Sequence, residues 1–469
     1  MKKILIILIV LSAGLVSCSD FLIQEPVMTQ SNELTLSDYD GLNSATQGAY
    51  SPLQSANWYG ANFILGSELR GGNAKNPTNT DFTSGRYTID YHWNFTSSST
   101  SPVWNTAYFV ISMANNVINA IPNVEGDEDD LNNLKAECLF LRSLSHFDLV
   151  RVYAQPYTYD SLSLGVPVVL ESKLASPARN KVNEVYAQIV TDLREAEAII
   201  DPAYTRTGVT DQKAVVTQAA IQALLSRVYL YMGKWQASAD YATKVINNSK
   251  YSLWSASQYA GEWGKLTAAT GGEIIFEVYD DRKNEYWGSW EAISWIVYPD
   301  GYADVASTAD LRGLYEAGDI RGDMFTSHPD AADHFWTLKY PGKPGSSNQE
   351  NNIVVLRLSE MYLNRAEAIF KGAVVPGVTA EADINKITEN RGASLIASVD
   401  NNSIFNERRK ELAFEGHIAF DLPRLGRSLV RTDYDGSIAN KDVPFPSTRW
   451  ALPIPKRELD ANPNMVPNP

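Results

Sequence analysis

The chain has 469 residues, 44% of them hydrophobic and 20% charged, an ordinary globular composition that excludes disorder as its main state. Forty Lys and Arg against 55 Asp and Glu leave 40 − 55 = −15, and a surface of that sign repels phosphate backbones, which excludes nucleic acid as a partner. The two cysteines, Cys18 and Cys138, and five widely spaced histidines exclude paired Cys/His zinc motifs, so no metal or cofactor is implied.

The first 17 residues read as a signal peptide. Lys2 and Lys3 precede an apolar run from Ile4 to Leu15, 12 residues long, against the roughly 20 a spanning helix needs. The run ends at Leu15-Val16-Ser17-Cys18, which resembles a bacterial lipobox; that resemblance makes Cys18 the lipid-bearing first residue of the mature chain. Loss of the two lysines leaves 38 − 55 = −17. No later run of 18 apolar residues follows, so the chain is expected to be anchored to a membrane without spanning it. Residues 18–40 are polar and read as a tether.

Residues 41–469 read as one large, mainly helical domain. Gly60 to Thr100 is rich in Gly, Asn, Ser and Thr and reads as non-helical, with Arg70-Gly71-Gly72-Asn73 as a turn and Arg70 and Asn73 as weaker ligand candidates. Val103 to Ile121 has helical apolar spacing and is closed by Pro122. Asp127 to Asp130 suits a helix N-terminus, and Leu131 to Val152 places Leu134, Cys138, Leu141 and Ser145 on one stripe, which makes Cys138 a buried thiol. Val182 to Ile200 is a third amphipathic helix.

Lys213 to Met232 and Trp235 to Asn247 form a helix pair in which alanines face alanines, as closely packed hairpins require. Leu356 to Lys371 and Thr379 to Arg391 form a second pair. They resemble tetratricopeptide hairpins without a fixed 34-residue period. Glu273 to Tyr279 is the best strand candidate, followed by Asp280-Asp281 as a solvated turn. Residues 250–350 are largely a loop-rich insertion, and Lys441 to Pro469, with seven prolines, reads as an extended wrapping tail without helix.

No nucleophile elbow, phosphate-binding loop or His-Glu-x-x-His motif occurs. Paired carboxylates of a glycoside hydrolase stay open as an alternative, because 55 acidic residues offer many pairs. The run Glu407-Arg408-Arg409-Lys410-Glu411, with Glu415 and His417, reads as ion pairs along a helix.

That run, continued through Leu412, Gly416, Asp421, Leu422 and Arg424, resembles the Glu-Arg-Arg-x-Glu-Leu block of SusD-like (RagB/SusD) outer-membrane nutrient-binding lipoproteins. It departs at Ile418, where the family usually has Arg. Three further segments resemble the family in order: Cys18 to Pro26, Ala136 to Tyr153, and Trp450-Ala451-Leu452-Pro453-Ile454-Pro455 with Asn462-Pro463 and Asn468-Pro469. The resemblance implies a non-catalytic surface lipoprotein of the outer membrane. It would capture oligosaccharides, or peptides in some members, for a TonB-dependent SusC-like transporter. The implied fold is a helical domain of tetratricopeptide-like pairs with irregular loop insertions and few strands.

Sugar rings stack their apolar C–H faces on flat aromatics. Tyr286 to Tyr302 holds six aromatics in 17 residues, of which Trp287, Trp290, Trp295 and Tyr298 are the ligand candidates. Tyr91 and Trp93, in the insertion at 60–100, form a second candidate cluster.

If Cys18 carries the lipid, Cys18→Ala should leave an unprocessed or soluble precursor. Mass spectrometry of the native protein should find acyl chains on Cys18; a mature N-terminus elsewhere would sink the lipoprotein reading.

Overall fold

The computed structural model describes residues 35–78, 82–209, 211–264, 272–280, 291–342 and 350–469. Cys18 and the leader lie outside the described residues. The elements used below are, in chain order, helices α1 (Tyr39–Tyr50), α2 (Asn62–Arg70), α3 (Val103–Ala120), α4 (Glu128–Tyr153), α5 (Val182–Ile199), α6 (Gln218–Tyr231), α7 (Trp235–Ile246), α8 (Leu358–Phe370), α9 (Ala380–Arg391), α10 (Asn401–Glu411) and α11 (Ile418–Arg424). The strands are β1 (Ala74–Lys75), β2 (Ile274–Val278), β3 (Ala306–Ser307), β4 (Phe325–His328), β5 (Ala331–Thr337) and β6 (Ile353–Arg357).

Helices α3 to α9 form a row in which each packs on the next, so α7 meets α8 across the intervening insertion. Three antiparallel two-stranded sheets (β1–β3, β2–β6 and β4–β5) stitch the loops to that row. The fold is therefore mainly helical, as the apolar spacing predicts. No helix among the described residues is long and apolar enough to cross a membrane.

Local chemistry accounts for the helix boundaries. Asp127 caps α4 by accepting from the amides of Asp129 and Asp130, and Thr217 and Thr379 cap α6 and α9 in the same way. Gly392, at φ 69°, ends α9 in the left-handed conformation that favours glycine. The α6–α7 contact is locked by reciprocal bonds: the Ser226 hydroxyl donates to the Ser238 carbonyl (3.0 Å) and the Ser238 hydroxyl to the Ser226 carbonyl (2.9 Å). Ala219, Ala220, Ala223, Ala239 and Ala242 are all buried at or beside this contact.

Four expectations need correction. Gly60 to Thr100 contains α2, whose Phe63, Ile64, Leu65 and Leu69 enter the core despite the polar sequence around them. Helix α4 is not a one-stripe helix: from Ala136 to Tyr153 every residue is buried, so it runs through the middle of the molecule. Of the Asp280-Asp281 turn, Asp280 is buried and accepts from the Asn351 amide (3.0 Å), so it is not solvated, while Asp281 lies outside the described residues. The tail includes a six-residue helix, Lys456–Ala461, seated between Pro455 and Asn462 where no proline interrupts it. Cys138 is buried as expected; burial pushes its thiol up to about 12.

Burying α4 all round forces its charged side chains to find partners inside. Glu137 accepts from Arg206 (2.7 Å), Tyr204 (2.8 Å) and Tyr50. Arg142 makes a two-pronged pair with Asp192 (2.7 and 2.8 Å). Asp148 accepts from Trp58 (2.8 Å), Tyr59 (2.7 Å) and Arg151.

A larger ionic cluster surrounds Glu411 at the end of α10. Its carboxylate accepts from Arg321 (2.9 Å), Arg357 (2.6 Å) and Arg391 (2.8 Å). Arg357 also holds Glu415 (2.6 Å) and Glu273 (3.0 Å), Arg321 holds Asp319 and Glu407, and Lys339 holds Glu415 (2.6 Å). The charged run of the family block is thus a buried hub. Ile418 is also buried, against Gly71: a Cβ there would lie 2.2 Å from an Ile418 methyl. The glycine and the departure from the family's usual Arg fit one another.

Burial alone would raise the Glu411 carboxyl, but Arg391, Arg357 and Arg321 overcome it and hold the group well below the usual carboxylate range. Glu415 is lowered through Arg357 and Lys339 against the same opposing burial. Groups with depressed folded-state pKa values contribute stability above their unfolded values, near 4.5, and lose it as pH falls through the folded values. Glu411→Ala, which removes the acceptor shared by three buried guanidinium groups and leaves the buried cluster one negative charge short, should cost about 3–5 kcal/mol in denaturant unfolding and flatten the acid limb of the stability profile. An unchanged midpoint would show that the hub is dispensable.

Candidate functional site

The loop insertions converge on one face. The turn Ile293–Ile296 sends Ile293, Ile296 and Val297 into the main core. The intervening Trp295 and the following Tyr298 point the other way and stay half-buried, with ring centroids 6.0 Å apart and planes inclined by 35°. The chain then reverses: the Gly301 amide donates to the Tyr298 carbonyl (2.9 Å) and the Tyr302 amide to that of Trp295 (3.0 Å). A Cβ at Gly301 would lie 2.3 Å from the Trp295 carbonyl oxygen, so only glycine lets the two limbs approach.

Tyr302 carries the next contact. The Arg86 guanidinium sits 3.8 Å from its ring centroid, inside cation–π range. Glu291 grips Arg86 through Nε (3.1 Å) and Nη2 (2.7 Å), and this pairing raises the Arg86 pKa. Ala303 follows at φ 53° and Tyr87 sits at φ 60°, left-handed conformations that cost a non-glycine residue about 1–2 kcal/mol. Such strain persists only where neighbours over-determine the backbone.

At Ala303 the neighbours are visible. Its carbonyl accepts from the Trp336 indole (3.0 Å). The next residue, Asp304, is fully buried and accepts from the Ser84 amide (2.6 Å), the Ser84 hydroxyl (2.6 Å) and the Thr83 hydroxyl (3.0 Å). Asn76 donates to its carbonyl (2.8 Å). Asp304 therefore staples the 82–86 loop to the aromatic turn. The β1–β3 pairing and a bond from the Ser307 hydroxyl to the Phe335 carbonyl (2.9 Å) extend the staple to the β4–β5 hairpin. On that hairpin His328 lies tilted against Phe82 (centroids 5.0 Å apart) and approaches Asp300 (3.5 Å), and Asp300 in turn accepts from Tyr298, raising the pKa of that phenol.

The result is a half-exposed aromatic pair flanked by a guanidinium, an imidazole and carboxylates. Flat π-faces suit the apolar faces of sugar rings, and the polar groups around them suit hydroxyls. Trp295 and Tyr298 are the sequence candidates brought together here; Trp287 and Trp290 lie outside the described residues.

Tyr91 and Trp93 are placed elsewhere and need correction. Tyr91 is 1% exposed: its hydroxyl accepts from the Asp435 amide (2.8 Å) and its carbonyl from Arg431 (2.7 Å). Trp93 is 6% exposed, edge-on to Trp450 at 5.0 Å. Both rings are covered by residues 431–450 and clamp that segment, so neither offers a free face. Arg70 and Asn73 are likewise buried, in bonds to the Gly66 carbonyl (3.0 Å) and to Glu68 (2.8 Å). A cavity of about 510 Å³, lined by Tyr204, Lys213, Gln218, Lys250 and Tyr251, lies away from this face. Its two tyrosines are packed against the main core, and the Tyr204 hydroxyl is tied to Glu137 (2.8 Å). Arg86, Tyr302, Asp304 and His328 were not among the sequence candidates.

A family model described as SusD-like, starch-binding and associating with the outer membrane matches residues 20–230, and the SusD family model matches 332–469. SusD-like protein P2 of Formosa agariphila is 27% identical over 524 residues, spanning 100% of this chain and 99% of that one. A SusD superfamily protein of Bacteroides thetaiotaomicron has a solved structure 30% identical, with a TM-score of 0.83, covering 92% of this chain and 100% of the other. Surface glycan-binding protein A of the same organism, solved with laminarihexaose, shares the fold at 19% identity and a TM-score of 0.74, over 92% of this chain and 99% of that one. The chain belongs to the SusD family of outer-membrane-associated, non-catalytic glycan-binding proteins.

Asp304→Asn replaces an acceptor-only group facing three donors. It should lower unfolding stability by about 1–3 kcal/mol, against about 0.5–1.5 kcal/mol for Thr83→Ala, which deletes one bond of the set. Equal effects in thermal or denaturant melts would contradict the staple.

Proposed function

We propose that the loop face built on Trp295 and Tyr298 is the oligosaccharide site, and that the protein hands its ligand unchanged to a TonB-dependent SusC-like transporter. The observation that carries the reading is the aromatic pair itself. Two rings stay half-exposed on a turn whose other side is locked into the core, so they lose little conformational entropy on binding. The laminarihexaose held by surface glycan-binding protein A supports an oligosaccharide as the class of ligand. Trp287 and Trp290, close by in sequence, are proposed as further ligand residues. A lipid on Cys18 would hold the domain at the outer membrane through residues 19–40, with 41–469 as the binding domain. The capture step is equilibrium binding: ring stacking fixes the sugar plane, and Arg86, Asp300 and His328 are placed to meet hydroxyls at its edge.

Trp295→Ala and Tyr298→Ala should leave the melting temperature nearly unchanged and weaken glycan affinity about tenfold, or roughly 1.4 kcal/mol, in calorimetric titration. The oligosaccharide should be recovered uncleaved by chromatography. Large losses of stability without a selective loss of affinity would move the platform elsewhere.

A further inference from the structure

The histidine at the edge of the aromatic face sits between two carboxylates. His328 ends β4, and Pro329 and Asp330 form the two-residue turn that leads to Ala331 on β5. The ring is half-buried, while both carboxylates are exposed. From the aromatic turn, Asp300 approaches Nε2 at 3.5 Å; from the hairpin turn, the Asp330 carboxylate approaches Nδ1 at 3.8 Å. The 82–86 loop contributes the uncharged ring of Phe82. The other histidine of the hairpin, His334, is engaged separately, with Asp333 at Nδ1 (2.9 Å) and the Thr78 amide at Nε2 (3.3 Å).

The hydrogen bonds of His328 fix its charge state. Nδ1 accepts from the Asp330 amide (3.1 Å), so the ring is neutral in this arrangement and its one proton is on Nε2, the nitrogen beside Asp300. Asp300 also accepts from the Tyr298 phenol. One carboxylate thus joins the imidazole to Tyr298, and the imidazole joins both to the hairpin turn. A second proton would undo this. It would occupy the Nδ1 lone pair, and the Asp330 amide would lose its acceptor. The imidazolium would then compete with the phenol for Asp300, and a carboxylate prefers a cation to a neutral hydroxyl as its partner. Tyr298 would lose the bond that orients its ring beside Trp295, at 6.0 Å and 35°.

We propose that His328 is a positioning residue of the glycan face: its neutral ring holds Asp300, and through it Tyr298, in the binding arrangement, and its protonation loosens that arrangement, so that glycan is held near neutral pH and released as the surroundings acidify. The inference rests on the reading of the loop face as the glycan site. A histidine side chain changes charge between about pH 5 and 8, and apparent affinity scales with the fraction of molecules in the competent form. Glycan prefers the less protonated protein, so affinity falls as pH falls, and by the same linkage glycan binding expels protons.

The test uses immobilised neutral polysaccharides, starch and laminarin among them, whose own charge does not change with pH. Four forms of the full chain are compared: wild type, His328→Asn, Asp300→Asn and Trp295→Ala. Thermal melting at both pH values checks that each is folded. Wild type should bind the polysaccharide it retains best about fivefold or more weakly at about pH 5.5 than at about pH 7.5. His328→Asn, whose amide oxygen can still accept from the Asp330 amide but cannot gain a charge, should bind equally at both. Asp300→Asn, which keeps an acceptor for the phenol but offers no charge to an imidazolium, should lose most of the difference. Trp295→Ala should weaken binding at both pH values alike and leave the ratio intact. Equal affinity of wild type at the two pH values, or a difference that persists in His328→Asn or is undiminished in Asp300→Asn, overturns the inference while the glycan site stands. If wild type retains no polysaccharide at either pH, or Trp295→Ala binds as wild type does, the glycan reading fails and this inference falls with it.

Discussion

The arrangement turns on one buried carboxylate. Glu411 sits fully buried among three guanidinium groups, and the cluster around it joins parts of the chain with no other reason to meet: Glu273 before β2, Asp319 and Arg321 in the long insertion, Lys339 after the β4–β5 hairpin, Arg357 at the end of β6 and Arg391 at the end of α9. With Lys410 included, five cations face Glu273, Asp319, Glu407, Glu411 and Glu415. Such a cluster is a poor source of net stability, because removing each charge from water costs nearly what pairing returns. Its value is in exclusion. Any register that left one member unpaired inside the protein would cost several kcal/mol, so the insertions can close on the helical row in one way only.

Closure of that kind is what makes a loop face usable for binding. The row from α3 to α9 is built from nearest-neighbour helix contacts, and alanine and serine faces such as α6 on α7 fix its spacing. The binding surface is made of the segments between helices, which have little regular structure of their own. Their stiffness comes from three anchors: Ile293, Ile296 and Val297 in the core, the Asp304 staple, and the hub around Glu411. The strained backbone at Tyr87 and Ala303 lies among these anchors.

Much of the row was legible in the sequence because helical spacing is a local signal. Val103 to Ile121 and Trp235 to Asn247 came within a residue of the observed α3 and α7. Helix α2 was missed because its Gly, Ser and Asn neighbours mimic a loop; its core-facing side is supplied by residues such as Phe420 on α11, stacked on Phe63 at 5.4 Å. The burial of α4 was missed because its charged residues read as a solvent face, while their partners Asp192 and Arg206 come from other elements. Aromatic density found Trp295 and Tyr298 but equally suggested Tyr91 and Trp93, since local density does not encode that residues 431–450 will cover the latter pair. Asp304 had no local signature, its partners being 220 residues away.

The segment that covers Tyr91 and Trp93 continues to the end of the central helix. The Leu452 amide donates to the Val152 carbonyl (3.0 Å), and Asn468 donates to the carbonyls of Tyr153 (2.9 Å) and Leu452 (2.6 Å). The carbonyl at the end of α4 therefore finds one of its partners in a residue 315 positions later. The C-terminal end of the most buried helix thus draws its partners from Arg179 (3.3 Å) nearby and from the distant tail together. A chain cut before Leu452 would lose both bonds at once and leave open the last turn of a helix buried from Ala136 to Tyr153, so the surface tail is in effect the closing piece of the core.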